Sequence, residues 1–533
     1  MRDMLLLTTL INHLPHLAAA AAAILCARKL LHYFQLESYQ FYGYFKTILR
    51  QWKRAILPPA ALGCAFFLLK KTGDALCHAA EPLSIWRRLL IHLMIAAAIL
   101  ALGMLTAAWL RRGKEKKTFV LTARMKRLYA ILGVVIVLFC WVTPAHVLLL
   151  PLLAALAALI ALPIEKSIHR MYMRDAQRRM DAQPDLIRIG ITGSYGKTSV
   201  KNILYTILSQ KYNVLSTPAS FNTPMGLTRV IRERLEPAHQ IFLAEMGARH
   251  RGDIKELTDF IHPTIGVLTS VGPQHLDTFK TLENIIATKY DLIRSLPADG
   301  FAVFNDDHSI CADLYEKTGH ISRAIVGRKG GDAWAEELQV SAQGSSFALC
   351  LADGSRIPCT TRMLGAHNIS NILLACAVAR YLGLSNAQIQ RGVSQLQPVE
   401  HRLQLLKSAG GITVIDDAFN SNPIGAKAAL DVLSRFPGRR ILVTPGMVEL
   451  GEKEAEYNRD FGREAASAAD VCVLIGKKHT LPIQEGLIEA GYPAGDIHTF
   501  ASLSEATAWL RGFMRAGDFV LYENDLPDHY SET

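Results

Sequence analysis

The sequence predicts an N-terminal α-helical transmembrane region followed by α/β domains, and three observations indicate this fold class. Half of the 533 residues are hydrophobic, and the long apolar runs lie in the first third of the chain. After about residue 185, short β-branched runs alternate with helical stretches, a pattern typical of a mostly parallel sheet. Residues 192–198, TGSYGKT, follow one of these runs and have the composition of a phosphate-binding loop.

About five segments in the first third are apolar enough to cross a bilayer. Residues 89–110 are the strongest candidate, since these 22 residues contain no acid, lysine or arginine and suffice to span the hydrocarbon core. Weaker or shorter runs lie at residues 4–27, 55–69, 128–142 and 147–162. A version with three spans stays open, because two basic pairs, residues 70–71 and 87–88, would face the outer side in the five-span arrangement.

Basic residues between these segments predict the orientation. Residues 28–54 and 111–127 are rich in lysine and arginine, so the positive-inside rule places both in the cytoplasm. With five spans, everything after about residue 165 lies in the cytoplasm, as in a multi-pass protein of a bacterial-type inner membrane. The net charge of +11 comes largely from these flanks, which favours membrane lipid over nucleic acid as a partner. Residues 33–52, where aromatic and basic residues are interleaved, are predicted to form an interfacial helix.

Two series of predicted strands divide the rest of the chain. The first series lies at residues 187–192, 240–244, 265–269 and 302–305, and the second at 412–415, 441–444, 471–475 and 519–522. Helical stretches separate the strands, so we expect two doubly wound domains. A Gly-x-Gly-x-x-Gly pattern follows none of the strands, and none of the nine cysteines forms a Cys-x-x-Cys pair. The sequence therefore does not indicate dinucleotide binding, a disulfide framework or a cysteine metal cluster. The cysteine pattern fits a reducing compartment.

The loop at residues 192–198 contains the parts that phosphate binding requires. Gly193 and Gly196 allow backbone N–H groups to face the phosphates, and Lys197 can reach the β- and γ-oxygens. Thr198 supplies a hydroxyl for Mg²⁺. Ile191 stands where the strict pattern has its first glycine, so an ordinary strand-to-helix turn with a surface lysine is the alternative. The remaining residues of the predicted ATP-binding loop are Ser194, Tyr195 and Ser199.

Ten stretches extend this pattern in order along residues 186–455. They are ITGSYGKTSVKNIL, FNTPMGL, AEMGARHRGDI, VGPQHLDTF, ENIIATKYDLI, FNDD, GAHNISNILLA, HRLQ, DDAFNSNPIGAKAAL and GMVELGE. With these motifs the chain resembles the Mur ligase family, specifically its MurF type, which adds D-Ala-D-Ala to UDP-MurNAc-tripeptide. The resemblance implies a central P-loop ATPase domain at residues 185–397 and a Rossmann-like, doubly wound C-terminal domain at 398–533. They would follow a transmembrane region at 1–165 and a linker at 166–184.

Two magnesium ions are implied beside the ATP. Glu245 ends an apolar strand, where its carboxylate can reach Mg²⁺ next to the loop; a solvated strand end is the alternative. The resemblance makes His275 a ligand of the second Mg²⁺ and Lys289 a carbamylated lysine that also binds metal. On their own, His275 would be a structural histidine and Lys289 a lysine on a helix surface. The predicted metal ligands are therefore Thr198, Glu245, His275 and Lys289. The predicted catalytic residues are Lys197, Glu245, His275 and Lys289.

Five residues beyond the loop are predicted to contact the nucleotide. Asn305, Asn368 and Asn371 lie in stretches that the family uses to read the base and the ribose, although turns and helix caps also favour asparagine. By resemblance, Arg402 reaches the phosphates and Asp417 the ribose when the two domains close. Closure would exclude water from a reactive intermediate.

The resulting prediction is a membrane-anchored, ATP-dependent amide ligase that acts through an acyl phosphate on a cell-wall peptide precursor at the inner leaflet. Its substrates would be peptides or amino acids. A lipid-linked acid is favoured, because the membrane third replaces the small uridine-binding domain of the family. A sharp strand-to-helix connection is predicted at Asn420, Asn422 and Pro423. These residues would contact the incoming amine substrate, and a plain turn is the alternative explanation.

Two further departures from the family leave other functions open. YENDLPDHY stands where the family has a Lys-Gly-Ser-Arg-like segment, and TPGMVELG replaces a Gly-Asp-Met form. The alternatives are a ligase that extends a polymer, as membrane-associated poly-γ-glutamate synthases do, and an ATPase coupled to a membrane transporter. Glu245, His275 and Lys289 together favour a ligase, because a motor needs no acyl-phosphate site.

Overall fold

A computed structural model gives two compact units, which comprise Met1–Arg170 and Met171–Thr533. The structure describes residues 2–37, 39–79, 85–112, 118–142, 147–218, 221–306, 309–327, 329–341, 344–407, 410–418 and 421–525.

Helices build the first unit. They are α1 (Arg2–Leu36), α2 (Phe41–Arg50), α3 (Trp52–Ala55), α4 (Leu57–Ala79), α5 (Ile85–Leu110), α6 (Ala123–Val142) and the first part of α7 (Leu150–Asp181). Among the residues that the structure describes, four helical segments are long and apolar enough to cross a membrane, namely Thr9–Leu36, Trp52–Cys77, Ile85–Leu110 and Leu150–Asp181. The predicted run at residues 128–142 lies in α6, which has 20 residues.

Small residues let α1 pack closely against α5. Ala19, Ala22 and Ala23 are buried in the unit, and a Cβ at Gly103 of α5 would lie 2.4 Å from the Cβ of Ala22. Side chains of this size allow two helix backbones to approach, which is how helices associate where lipid supplies no hydrophobic driving force. The alanine-rich part of α1 therefore lies in the core of the helical unit.

The prediction of one interfacial helix over residues 33–52 is wrong. The segment is divided among the end of α1, the whole of α2 and the start of α3. Tyr39 has a φ of 63°, a left-handed conformation that cannot continue a right-handed helix. Tyr44 of α2 is buried in the unit, whereas Tyr42 is 81% exposed.

A nine-stranded sheet organises the central domain. Its strands are β1 (Ile187–Thr192), β2 (Val214–Ser216), β3 (Ile241–Glu245), β4 (Ile265–Leu268), β5 (Phe301–Asn305), β6 (Ser322–Val326), β7 (Ala333–Ser341), β8 (Gly344–Leu351) and β9 (Arg356–Thr361). In space their order is β2-β3-β1-β4-β5-β6-β7-β8-β9. Strands β1 to β6 are parallel, while β7, β8 and β9 form an antiparallel extension.

Helices cover both faces of this sheet. They are α8 (Lys197–Leu208), α9 (Pro224–Arg234), α10 (Asp253–Ile261), α11 (Leu276–Phe279), α12 (Leu282–Arg294), α13 (Ser309–Lys317), α14 (Ala366–Tyr381) and α15 (Asn386–Ser394). Helices α8, α14 and α15 share one core with the sheet, and α9, α10, α12 and α13 share the other. Leu243 of β3 belongs to the first core and Phe242 to the second, as the alternation of side chains along a strand requires. Helix α7 continues through most of the predicted linker, as far as Asp181.

A six-stranded sheet forms the C-terminal domain. Its strands are β10 (Gln404–Lys407), β11 (Thr413–Asp417), β12 (Arg440–Thr444), β13 (Val471–Ile475), β14 (Ile497–Phe500) and β15 (Phe519–Glu523). Their order is β10-β11-β15-β12-β13-β14, and all are parallel except β10. The helices are α16 (Pro423–Ser434), α17 (Glu454–Ala468), α18 (Leu481–Glu489) and α19 (Leu503–Phe513). Helices α16, α17 and α18 pack on one face and α19 on the other, so the second domain is doubly wound as predicted.

The carboxyl ends of β1, β3 and β4 meet near the middle of the nine-stranded sheet. The chain leaves β1 toward one side, where it forms β2 and β3, and then crosses to form β4 on the other side. The crevice at such a topological switch point is where α/β proteins bind ligands. The phosphate loop follows β1, Glu245 ends β3, and His275 follows β4.

Candidate active site

The phosphate loop joins β1 to α8 and is pressed against the end of β4. Gly196 precedes α8 with a φ of 80°, a left-handed conformation that glycine adopts without strain. A Cβ at Gly193 would lie 2.0 Å from Oγ1 of Thr269, so the backbone can approach β4 this closely only at a glycine. The N–H groups of the first turn of α8 are then the donors that a phosphate requires.

Hydrogen bonds fix the loop to the segment after β4. The Ser194 N–H donates to the Ser270 carbonyl at 2.8 Å, and the Ser194 hydroxyl donates to the Gly272 carbonyl at 2.8 Å. The Tyr195 N–H donates to Oγ of Ser270 at 3.1 Å. Ser199 is buried on α8. The predicted loop residues are thus held in one backbone shape before any nucleotide arrives.

Lys197 folds back over the loop. Its Nζ donates to the Gly193 carbonyl at 2.7 Å and to the Ser194 carbonyl at 3.3 Å. Burial lowers the pKa of Lys197 to about 8, an effect that Glu245 opposes and Arg402 assists. Charged phosphate oxygens would attract this ammonium more strongly than neutral carbonyls do.

Glu245 is the centre of a buried polar cluster. Its Oε1 accepts hydrogen bonds from Oγ1 of Thr198 at 3.1 Å and from Nδ2 of Asn222 at 3.2 Å. Its Oε2 pairs with Nζ of Lys201 at 3.0 Å, and both side chains are 1% exposed. The sequence reasoning missed Lys201, although its position four residues after Lys197 puts both lysines on one side of α8. This ion pair lies in the interior, beside the hydroxyl of Thr198 that is predicted to share a metal ion with Glu245.

Lys289 lies on α12 and is 2% exposed, so the alternative of a surface lysine is wrong. Its Nζ donates to the Gly193 carbonyl at 2.9 Å, the same oxygen that Lys197 contacts. Burial, together with the charge of Lys197, holds the pKa of Lys289 well below its usual range. This favours the neutral amine, which is the nucleophilic form of lysine.

His275 is bonded to a residue of the C-terminal domain. Its Nδ1 contacts Oε2 of Glu449, which has a φ of 65°. Nη1 of Arg249 lies 3.9 Å from the other oxygen of Glu449. Burial lowers the pKa of His275, against the influence of Glu449, which favours the neutral ring. With Nδ1 occupied, Nε2 is the nitrogen that a metal ion can use, the arrangement by which carboxylates orient metal-binding histidines.

The predicted catalytic side chains converge on the ammonium of Lys197. Its charge contributes to the lowered pKa values of both Lys289 and His275. The pKa of Lys197 itself responds to Glu245 and Arg402. Contacts agree with this: Lys197 and Lys289 donate to the same Gly193 carbonyl, and Glu245 accepts from Thr198 beside Lys197. The structure therefore brings these side chains together, with His275 within electrostatic reach of Lys197.

The three predicted asparagines lie close behind the loop. Nδ2 of Asn305 donates to the Thr269 carbonyl at 3.2 Å. Oδ1 of Asn371 would be 2.8 Å from a Cβ at Gly196, and its Nδ2 donates to Oδ1 of Asn368 at 3.4 Å. All three side chains are at least 93% buried, with exposed fractions of 5%, 4% and 7% for Asn305, Asn368 and Asn371. In the structure they support the loop and the end of β4.

Two acids occupy the ends of neighbouring strands in the C-terminal domain, Asp417 half-buried and Glu523 buried. Asp417 accepts from the Leu403 N–H at 3.2 Å, and burial raises its pKa to about 6 against the influence of Arg402. Glu523 stands opposite Asp417 in the register of β11 and β15. Burial raises its pKa to about 8, although Ser421 and Oγ1 of Thr444 both donate to it. The sequence reasoning missed Glu523; the signal was the run FVLYE, which ends in an acid as IFLAE does.

Asn422 and Pro423 form the start of α16. Oδ1 of Asn422 accepts from the Gly425 N–H at 3.0 Å, and Pro423 occupies the first turn of the helix. This is the capping arrangement of an ordinary helix start. Asn420 lies outside the described residues.

The donor set fits the magnesium ions that the family implies. Glu245 and Thr198 present adjoining oxygen atoms, and Mg²⁺ prefers oxygen ligands. His275 adds a neutral nitrogen, whereas Lys289 could bind metal only as a carbamate because an ammonium has no lone pair. Within the described part of the chain, no three His, Cys, Asp or Glu side chains form a metal-binding group. Phosphate oxygens and a carbamate would therefore have to complete the coordination.

Two family models match the second compact unit, Met171–Thr533. They are "Mur ligase middle domain" over residues 191–379 and "Mur ligase, glutamate ligase domain" over residues 401–522. The UDP-N-acetylmuramoyl-tripeptide–D-alanyl-D-alanine ligase of Haemophilus influenzae is 32% identical over 52% of this chain and 60% of that protein. The corresponding ligase of Mycobacterium tuberculosis is 31% identical over 62% of this chain and 69% of that protein. The chain thus spans less than two thirds of the Haemophilus protein.

Solved structures show the same fold. MurF from Acinetobacter baumannii superimposes with a TM-score of 0.61 and 27% identity, over 67% of this chain and 77% of that chain. MurF from Thermotoga maritima in complex with ADP gives a TM-score of 0.60 at 24% identity, over 67% of this chain and 80% of that chain. These likenesses confirm the predicted central and C-terminal α/β domains.

Proposed function

The chain belongs to the Mur ligase family, whose members are ATP-dependent acid–amino acid ligases, and from this premise we propose that it is a MurF-like ligase of peptidoglycan precursor synthesis. The observation that carries the proposal is the convergence of Lys197, Glu245, His275 and Lys289 on a phosphate loop at a topological switch point. The helical unit anchors the ligase in a bacterial-type inner membrane.

The first chemical step activates a carboxylate. An oxygen of the acid substrate attacks the γ-phosphorus of ATP, the bond to the β–γ bridging oxygen breaks, and ADP leaves with that electron pair. Lys197 and the N–H groups of the loop stabilise the charge of the transferring phosphoryl group. Thr198 and Glu245 would hold magnesium, which would supply further positive charge at the phosphate oxygens. Carbamylation of Lys289 belongs to this proposal and is supported by its buried, low-pKa amine.

The second step forms the amide. The nitrogen of the amine substrate attacks the acyl carbon, the bond from that carbon to the phosphate oxygen breaks, and the nitrogen loses a proton. Water competes with the amine for the acyl phosphate, so the site must exclude solvent. The contact between His275 and Glu449 holds the C-terminal domain against the central domain, which supports such closure.

The acid substrate is membrane-associated in this proposal. Two features support it: the four long apolar segments, and the stretch YENDLPDHY, which includes the buried Glu523 and stands where the family has a Lys-Gly-Ser-Arg-like segment. A lipid-linked muramyl peptide presented at the inner leaflet fits both features.

ADP release by the full-length protein in detergent tests the proposal, with Lys197→Ala as the inactive control. The assay offers UDP-MurNAc-tripeptide with and without D-Ala-D-Ala, beside lipid-linked muramyl peptide and a panel of other acids and amines. Release that requires both an acid and an amine supports a ligase, and the responding pair identifies the substrates. Release without any amine would replace the ligase with a transport ATPase, and a γ-linked polymer would replace it with a polymer ligase. Equal turnover of the UDP-linked and lipid-linked acids would contradict the proposal that the acid substrate is lipid-linked.

A further inference from the structure

The helical unit contains a cavity of about 70 Å³ where the last turns of α1 approach the end of α5. Three cationic side chains line it, Arg28, Lys29 and Arg111, and His32 adds an imidazole. None of the described residues that line the cavity is acidic. The three cations come from the two basic segments, residues 28–54 and 111–127, that the positive-inside rule assigns to one side of the membrane. The fold therefore gathers their charge around one space.

Aromatic contacts and hydrogen bonds hold the side chains around the cavity in place. The guanidinium carbon of Arg28 lies 5.0 Å from the centre of the Phe119 ring, and that ring packs edge-on against His32 at 5.8 Å. Gln35 holds the backbone beside Phe119 by two hydrogen bonds to Val120, one of 2.8 Å and one of 3.0 Å. Stacking on an aromatic face fixes a guanidinium and leaves its N–H edge for an anion.

The size and surroundings of the cavity select the anion. Its volume of about 70 Å³ has room for a compact anion such as a phosphate group. Ala107 and Leu110 contribute apolar lining, and Leu25 at its rim is 38% exposed. Cations above an apolar surface match the phosphate of a lipid above its acyl chains, and basic pockets between membrane helices bind such headgroups.

We infer that this cavity binds the phosphate of an anionic phospholipid of the inner leaflet. The inference rests on the proposed function, in that the helical unit lies in a membrane. The lipid would hold α1 and α5 together at their basic ends, where the like charges of Arg28 and Arg111 otherwise repel each other.

A comparison of how strongly the full-length protein binds phosphatidylglycerol and phosphatidylcholine tests this inference. The protein in neutral detergent micelles is titrated with each lipid, and bound lipid is counted by native mass spectrometry. We expect preference for phosphatidylglycerol, and a fall in its affinity of about fivefold for each charge removed in Arg28→Gln and Arg111→Gln. Arg28→Lys keeps the charge and loses the planar stacking, so it should show a smaller fall.

Arg112→Gln is the matched control, because Arg112 is next to Arg111 and exposed like it but does not line the cavity. Equal retention of the two lipids, or an equal fall in Arg112→Gln, would overturn the inference. Displacement of the lipid by millimolar inorganic phosphate would also overturn it and make the cavity a site for a free anion. ADP release and membrane fractionation on the same preparations report separately on the proposed function. A membrane-bound, active ligase without lipid preference refutes only the cavity.

Discussion

Nucleotide binding should change the protonation state of Lys197. Its half-buried ammonium donates to two backbone carbonyls, and desolvation lowers its pKa to about 8. Phosphate oxygens favour the charged form and would raise that pKa. We therefore expect ATP binding to take up protons at about pH 8.5, where the lysine of the free site is largely neutral, and to take up fewer at about pH 7.

Calorimetry of ATP binding in two buffers of different ionisation enthalpy measures these protons. Lys197→Met should abolish the uptake, whereas Lys255→Met, at an exposed lysine of α10, should leave it unchanged. If Lys197→Met still takes up the same number of protons, another group of the site titrates.

Glu449 should set the magnesium requirement of the enzyme. Glu449→Gln keeps the size of the side chain but removes the charge that supports Nδ1 of His275. Loss of a carboxylate that orients a metal ligand costs about 10- to 100-fold in metal affinity or activity. We expect the Mg²⁺ concentration for half-maximal ADP release to rise about tenfold, with thermal unfolding of the ligand-free protein little changed.

Glu452→Gln is the control for Glu449→Gln, since Glu452 lies in the same connection and is exposed. A variant that unfolds earlier yet needs no more magnesium would show that the Glu449 contact serves stability alone. Mn²⁺ binding followed by electron paramagnetic resonance gives a second readout that does not depend on turnover.

At the scale of the element, the loop between β1 and α8 should tolerate no side chain at Gly193. A Cβ there would lie 2.0 Å from Oγ1 of Thr269 and 3.0 Å from the Ser270 nitrogen, so Gly193→Ala must displace the loop. A displacement of about 1 Å can cost about 100-fold in rate, and we expect a loss of that size in ADP release. Gly252→Ala is the matched control: its φ is 87° and no atom lies within 4 Å of its Cβ. It should cost about 1 kcal/mol of strain and leave the rate unchanged.

The strands that could be predicted from the sequence all lie in the parallel part of a sheet. The eight predicted strands appear within two residues of their expected bounds, for example Val471–Ile475, because parallel strands read as continuous β-branched runs. The hairpin of β7 and β8 was missed, since β7 carries many polar residues and its register shifts between Glu336 and Gln339. The break at Tyr39 was missed because a single left-handed residue leaves no periodic signal.

The parts of the site that follow a strand could also be predicted. Glu245 ends an apolar run, and Lys197 follows another run through a short glycine loop, which fixes the place of both at the carboxyl edge of the sheet. Glu449 could not be found this way, since it reaches His275 from another domain through a turn with positive φ. Contacts between distant parts of a chain have no local pattern.

At the scale of the whole molecule, the helical unit determines where the protein should be found. In α5 only 22% of the apolar window is buried inside the unit, and Leu90, Met94 and Leu105 are 59%, 65% and 69% exposed. An exposed apolar surface of this extent is typical of a membrane or protein interaction site, and the proposed membrane location would cover it with lipid. We expect the full chain to stay in the membrane pellet through high-salt and alkaline washes and to be released by detergent, as followed by immunoblotting. Release by salt alone would mean that the chain only adheres to the surface.

The bond between His275 and Glu449 also has a consequence for when the enzyme works. A metal ligand that is oriented from the other domain is complete only while that domain is in place. An enzyme molecule that holds ATP but lacks its partners in the reaction would then have an unfinished site and hydrolyse little ATP while idle. The order of events in each turnover would be enforced by geometry, with the arrival of the C-terminal domain acting as the starting signal.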